Sequence, residues 1–179
     1  MGTVRLNRIL LLAIITVGVV ALDQATKVAA FALDGRHSLL GGVVVLDHHK
    51  NPGAAFGILR DVRGSAIILT VSTVATIVLL ALLFRRLIRT HLMTGCIALA
   101  LIYGGAIGNL VDRVAIGKVR DFIELRLGFF TWPAFNVADI SIVLGIILLL
   151  FGLASMPPLR RAAEAPASAE GTPGAEKEA

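Results

Sequence analysis

Four long apolar runs, at residues 9–33, 66–84, 92–111 and 137–156, constrain this chain more than any other feature. Each is long enough for a helix to cross the roughly 30 Å hydrocarbon core of a bilayer, which takes about 20 residues. A segment in lipid must satisfy its own backbone hydrogen bonds, so such runs cross as helices. Of the 179 residues 56% are hydrophobic, and the mean hydropathy is +0.85, too apolar for a soluble domain of this size to bury. The sequence therefore predicts a mainly α membrane fold: a four-transmembrane-helix bundle over residues 1–156, with a small extracytoplasmic β element.

The first run follows Arg5 and Arg8 as a signal peptide would, but no small-x-small cleavage site follows, so it reads as a retained span. With four spans, both termini and the 84–92 turn share one side. That side carries Arg5, Arg8, Arg85, Arg86 and Arg89 close to span ends, which favours cytoplasmic termini. Residues 157–179, rich in Ala, Glu, Pro, Gly and Ser, hold almost no large apolar side chain and are expected to be a disordered cytoplasmic tail. The net charge of +5 comes from span-flanking residues, with no basic stripe or aromatic platform for nucleic acid. Cys96 lies inside an apolar run and reads as a small buried hydrophobe. No internal repeat of the kind found in many transporters is visible, and nothing in the chain demands more than a monomer.

Helical rise converts positions into depths. From residue 9 to Asp23 is about 21 Å, and from residue 92 to Asp112 about 30 Å, at about 1.5 Å per residue. Asp23 then sits in the outer part of the first span, and Asn109, Asp112 and Arg113 at the outer boundary. The fourth span enters from outside, so Asn136 and Asp139 reach the same level, with Asp121 in the loop just before them. Between the spans, GGVVVLDHHKNPGAAFG and VRDFIELRLGFF are rich in β-branched and aromatic residues and bounded by Gly and Pro, the signature of short strands. Phe129, Phe130 and Trp132 are expected at the headgroup level.

A carboxylate beside an apolar span is costly, so Asp121 and Asp139 are functional candidates, and two close carboxylates can share a proton. Plainer readings exist: Asp139 as a cap on the fourth helix, and Asp121 paired with Arg120 or Arg126. Arg113 could simply pair with Asp112, and Asn136 could cap alongside Asp139. Asp23 and Lys27, at i and i+4, are expected to pair and anchor the outer end of the first span. Gly104, Gly105 and Gly108 form GGxxG, a pattern of close helix packing that would also make room for the aspartates. His48 and His49 diverge on a strand without a carboxylate–histidine ligand set, so no metal site is expected. The serines lack a nucleophile-elbow context, which disfavours a serine protease.

The ordered set LDQATK at 22–27, NPGAAFG at 51–57, GGAIGNLVDR at 104–113, VRDFIEL at 119–125 and FNVADISI at 135–142 resembles the lipoprotein signal peptidases (signal peptidase II), bacterial aspartyl proteases of the inner membrane. The resemblance covers roughly residues 9–155. It implies that Asp121 and Asp139 are the catalytic aspartates and that Asn51, Asn109, Arg113 and Asn136 surround them and hold substrate. Asp23 it marks as important without making it a third catalytic carboxylate. It further implies a substrate, a prolipoprotein carrying diacylglyceryl cysteine and cleaved before that cysteine, with membrane lipid as a partner and no metal or organic cofactor. A proton-coupled carrier would instead spread its carboxylates through the membrane depth, and an inert lipid-binding scaffold would not need both aspartates.

Overall fold

The computed structural model describes the backbone of residues 2–51, 65–87 and 93–154, and side chains within 6–51, 67–82 and 93–152. The motif NPGAAFG past Asn51, the 84–92 turn past residue 87 and the tail past residue 154 lie outside the described residues. Four helices, α1 (Gly2–Phe31), α2 (Ser65–Leu87), α3 (Met93–Ile116) and α4 (Val137–Ala154), coincide with the four apolar runs. Within α1, Leu6–Phe31 is long and apolar enough to cross a membrane, as is α3; the apolar parts of α2 and α4, Ile67–Leu82 and Val137–Gly152, are shorter.

Helix α3 is the hub, with α1, α2 and α4 packed around it. Its Ala98, Leu99 and Ala100 are fully buried, while Val17 of α1, Val71 of α2 and Phe151 of α4 face outward and are well exposed. A shell of exposed large aliphatic side chains around a helical core is the surface a lipid-facing bundle presents. Small residues bring the helices together. A Cβ on Gly104 would lie 2.5 Å from the Val19 Cβ of α1, and one on Gly105 would overlap the Ala138 carbonyl oxygen of α4. From the other side, a Cβ on Gly145 of α4 would come within 2.7 Å of the Ala98 oxygen of α3. The GGxxG stripe thus works as helix packing, as its spacing implies.

The predicted β element is a four-stranded antiparallel meander in sequence order: β1 (His37–Leu39), β2 (Val44–Asn51), β3 (Val119–Leu127) and β4 (Phe130–Phe135). Gly117, at φ +69°, ends α3 with its N–H donating to the Arg113 carbonyl 3.0 Å away, and β3 begins two residues later. Gly128, at φ +64°, supplies the hairpin turn between β3 and β4. A bulge in β2 between Leu46 and His49 re-aims His48. Its ring stacks on Phe31 at 4.5 Å, with Nε2 2.8 Å from the Ala30 carbonyl, tying the sheet to the end of α1.

Candidate active site

The site forms where β2 and β3 meet the last turns of α3 and the first turn of α4. The entrance to α4 carries a reciprocal cap: Asn136 Oδ1 accepts the Asp139 N–H at 3.0 Å, and Asp139 Oδ2 accepts the Asn136 N–H at 3.2 Å. This is a capping box built from Asn and Asp, and the carboxylate suits the helix dipole. The same Asn136 side chain donates from Nδ2 to Asp121 Oδ1 at 2.7 Å, so one buried asparagine touches both aspartates. Asn109 of α3 donates to Asp139 Oδ1 at 2.8 Å, and Asn51 of β2 donates to Asp121 Oδ2 at 2.9 Å. Among the described residues, each of the four carboxylate oxygens accepts one N–H, which leaves lone-pair capacity for a proton or a water.

Asp121 is 3% exposed. Burial pushes its carboxyl up to about 6, with the nearby charge of Asp139 raising it further against the opposing hydrogen bonds from Asn51 and Asn136 and the charge of Lys27. Asp139 is only half-buried, and it opens onto an apolar cavity of about 260 Å³ lined by Leu125, Trp132, Phe135, Ile140 and Val143.

The plainer readings sort themselves by partner. Capping by Asp139 and Asn136 is real and coexists with the contact to Asp121. Arg120 and Arg126 do not pair with Asp121: Arg120 binds Asp112 Oδ1 at 2.7 Å, and Arg126 binds Glu124 at 2.6 Å. Arg113 is half-buried and donates to the Asn109 carbonyl of its own helix at 3.3 Å, while its charge interacts with Asp139, Asp121 and Asp112.

Behind the aspartates lies a buried ionic cluster. Asp23 and Lys27 pair at 2.9 Å, as their spacing predicts, and Lys27 also reaches Asp112 at 3.3 Å. Asp23 Oδ1 accepts the Ala138 N–H of α4 at 2.9 Å, so it anchors the helix that carries Asp139. A Cβ on Gly108 would come 2.6 Å from Asp23 Oδ2; this glycine makes room for Asp23, and Gly105 for the α4 backbone, rather than for Asp121 and Asp139. Gln24, Asp112 and Arg120 complete the cluster: Gln24 Nε2 donates to Asp112 Oδ1 at 3.2 Å, and Arg120 donates to Gln24 Oε1 at 2.8 Å. All three stand inside or beside the sequence motifs, but no sequence spacing marks them as partners across 88 and 96 residues.

One expectation needs correction. His49 does meet carboxylates, since the fold brings Asp47 and Glu124 around it from two strands. Its Nε2 lies 3.5 Å from Glu124 Oε2 and 3.9 Å from Asp47 Oδ2. Residue-by-residue reading missed this because Glu124 arrives through β-pairing. Arg36 and Arg126 already bind Glu124 Oε1, so the group reads as an ion-pair cluster.

Comparisons with known proteins agree on one family. A family model described as signal peptidase (SPase) II matches residues 15–155. The chain is similar to a lipoprotein signal peptidase of Desulforapulum autotrophicum, 37% identical over 147 residues, covering 78% of this chain and 89% of that one. It is also similar to one of Syntrophotalea carbinolica, 40% identical, with 80% and 89% covered. Among solved structures, a bacterial membrane enzyme determined by the in meso method at 2.3 Å resolution superposes with a TM-score of 0.68 at 30% identity, covering 80% of this chain and 87% of that one.

Proposed function

The chain belongs to the signal peptidase II family, and from that premise we propose how Asp121 and Asp139 carry its reaction. It is an aspartic peptidase of the membrane that removes signal peptides from prolipoproteins. In our reading, the ionised member of the pair takes a proton from water, whose oxygen attacks the scissile carbonyl. The protonated member donates to the developing oxyanion, and collapse of the intermediate breaks the C–N bond as the leaving amine takes a proton. The pair titrates as a unit. The observation that carries this reading is the single Asn136 side chain bonded to both aspartates, which holds two carboxyl groups in one pocket at the end of a span.

The remaining residues divide the labour. Asn136 is fully buried and engaged, so it positions the pair. Asn51 and Arg113 rim the aspartates and are suited to hold the extended peptide and the lipid ester. Asn109, also expected to hold substrate, is buried and bonded to Lys27, Asn136 and Asp139, so it positions Asp139 instead. The apolar cavity beside Asp139 is suited to an acyl chain of a diacylglyceryl cysteine, with cleavage just before that residue. We further propose that all four helices span the inner membrane as a single domain over residues 1–156, with both termini and the 157–179 tail cytoplasmic. Phe129, Phe130 and Trp132 then meet the outer headgroups; all three are exposed, and Phe130 and Trp132 pack edge to face at 6.0 Å. The enzyme acts as a monomer.

Purified protein in detergent, given a diacylglyceryl-modified prolipoprotein, tests the assignment. Asp121→Asn and Asp139→Asn should each lower cleavage by about a hundred- to ten-thousand-fold, and a chelator should leave the wild-type rate unchanged. Wild-type cleavage by either folded variant overturns the pair. Chelator-induced loss that Zn²⁺ restores would instead indicate a metalloprotease.

A further inference from the structure

Lys27 is fully buried, and its Nζ has three acceptors: Asp23 Oδ2 at 2.9 Å, Asn109 Oδ1 at 3.0 Å and Asp112 Oδ2 at 3.3 Å. Three acceptors call for three N–H groups, which is an ammonium. The two ion pairs explain an anchor at the end of α1, but not why the third N–H is spent on a neutral amide. That amide belongs to Asn109, whose other end donates to Asp139 Oδ1 at 2.8 Å. An asparagine side chain can be turned end for end, and in the reversed sense its oxygen would face the Asp139 oxygen. Lys27, aided by Asn136 Nδ2 at 3.1 Å from the same Asn109 oxygen, forbids that reversal. A cation bonded to an amide oxygen also makes the N–H at its far end a better donor.

We propose that Lys27 is a positioning residue for the peptidase reaction: it aims the Asn109 amide at Asp139 and forms the positive end of a hydrogen-bonded chain ending on a reacting carboxylate. The proposal rests on Asp121 and Asp139 being the catalytic pair. Among the described residues, the charged groups that face this chain are Asp23 from α1, Asp112 and Arg113 from α3, Arg120 and Asp121 from β3, and Asp139 from α4; β2 contributes the neutral Asn51. Asp112 is shared between Lys27 and Arg120, so it moderates the positive charge behind the pair.

The test reads the pH dependence of kcat/KM, which a purely structural anchor would not move. Lys27→Met alone leaves the buried Asp23 without its cation, while Asp112 keeps Arg120, and risks unfolding. The double variant Asp23→Asn, Lys27→Met removes the ion pair together and keeps an oxygen to accept the Ala138 N–H. The loss of the Asp23 charge offsets part of the change, but the Lys27 charge acts on both aspartates and Asp23 more weakly on Asp139 alone. The pair should therefore still hold its shared proton more tightly and the alkaline limb should rise, by less than about one pH unit, with kcat falling more than KM changes. Asp112→Asn should act with the opposite sign, leaving more uncompensated positive charge and lowering the limb. In the unsubstituted protein, the ¹⁵Nζ resonance of Lys27 should shift with the same midpoint as the pair. Wild-type limbs in the folded variants, or a Lys27 resonance flat through that midpoint, overturn the proposal. Full activity of the Asp121→Asn or Asp139→Asn enzyme would instead overturn the catalytic assignment beneath it.

Discussion

At the residue scale, the site is an arrangement of amide groups around two carboxylates, and its energetics are those of burial. Burial makes the ionised form of Asp121 costly, and the hydrogen bonds from Asn51 and Asn136 offset part of that cost. Moving its carboxyl from an ordinary value of 3.8 to about 6 costs the charged form on the order of 3 kcal/mol. The raised folded value means that native Asp121 keeps its proton while the unfolded chain has lost it, between about pH 4 and pH 6. Its contribution to stability is therefore complete below pH 3.8 and is lost as pH rises through about 6. Asp121→Asn does not titrate, and it loses one accepted hydrogen bond at every pH. The stability of the variant relative to wild type should climb across that window and level off above it. Denaturant or thermal unfolding in detergent at pH 4, 5, 6 and 7.5 checks this, and a constant difference across the series refutes it.

The residue types at this site were legible in the sequence, and their pairings were not. Asp121, Asp139 and the asparagines are polar groups placed where polar groups are expensive, a signal any reader of the chain can see. Whether Asp121 meets Arg120, Arg126 or an amide depends on which neighbour β3 is pressed against. Packing on α3 gives Arg120 to Asp112, and Glu124 takes Arg126.

At the scale of elements, α4 is the part whose position matters most, because its first turn carries Asp139 and its cap is Asn136. Three contacts seat it: Asp23 on the Ala138 N–H, Gly105 under the Ala138 carbonyl, and Gly145 against Ala98. Gly105→Ala should displace that turn, because the added methyl meets a backbone oxygen that cannot rotate away. Overpacking of this kind costs about 1–3 kcal/mol or more, and cleavage should fall along with the unfolding midpoint. Gly18→Ala in α1 is the control, since its methyl would find nothing within 4 Å. Alanine is the better helix former by about 1 kcal/mol, so that variant should be neutral or slightly stabilised. Equal melting temperatures for the two variants would refute the packing account. The helices and strands themselves were readable from apolar length and from β-branched runs between turns. The bulge in β2 was not, because an extra residue shows only against a partner strand; it is what sends His48 to α1 and leaves His49 facing Glu124.

At the scale of the whole molecule, three apolar helices packed around a fourth, α3, with a sheet at one end predict a sidedness that labelling can read. In a protein made free of Cys96, Ser38→Cys in β1 should react with a membrane-impermeant maleimide added to intact spheroplasts. Ser168→Cys in the tail should react only after the membrane is opened. Reversed labelling would place the active site on the cytoplasmic face and refute the proposed orientation.

Apolar length and the spacing of charges are properties of the chain read locally. By themselves they determined that this is a helical membrane protein with a short sheet, and that its polar residues gather at one level. Only the tertiary structure decided how those residues use one another. Asn136 bonds both aspartates, Asp112 draws off Arg120 and shares Lys27, and Lys27 reaches Asp139 through Asn109. The reason is physical: a buried polar group must be satisfied by whatever packing brings within about 3 Å, and partners up to 115 residues apart meet only when the helices close.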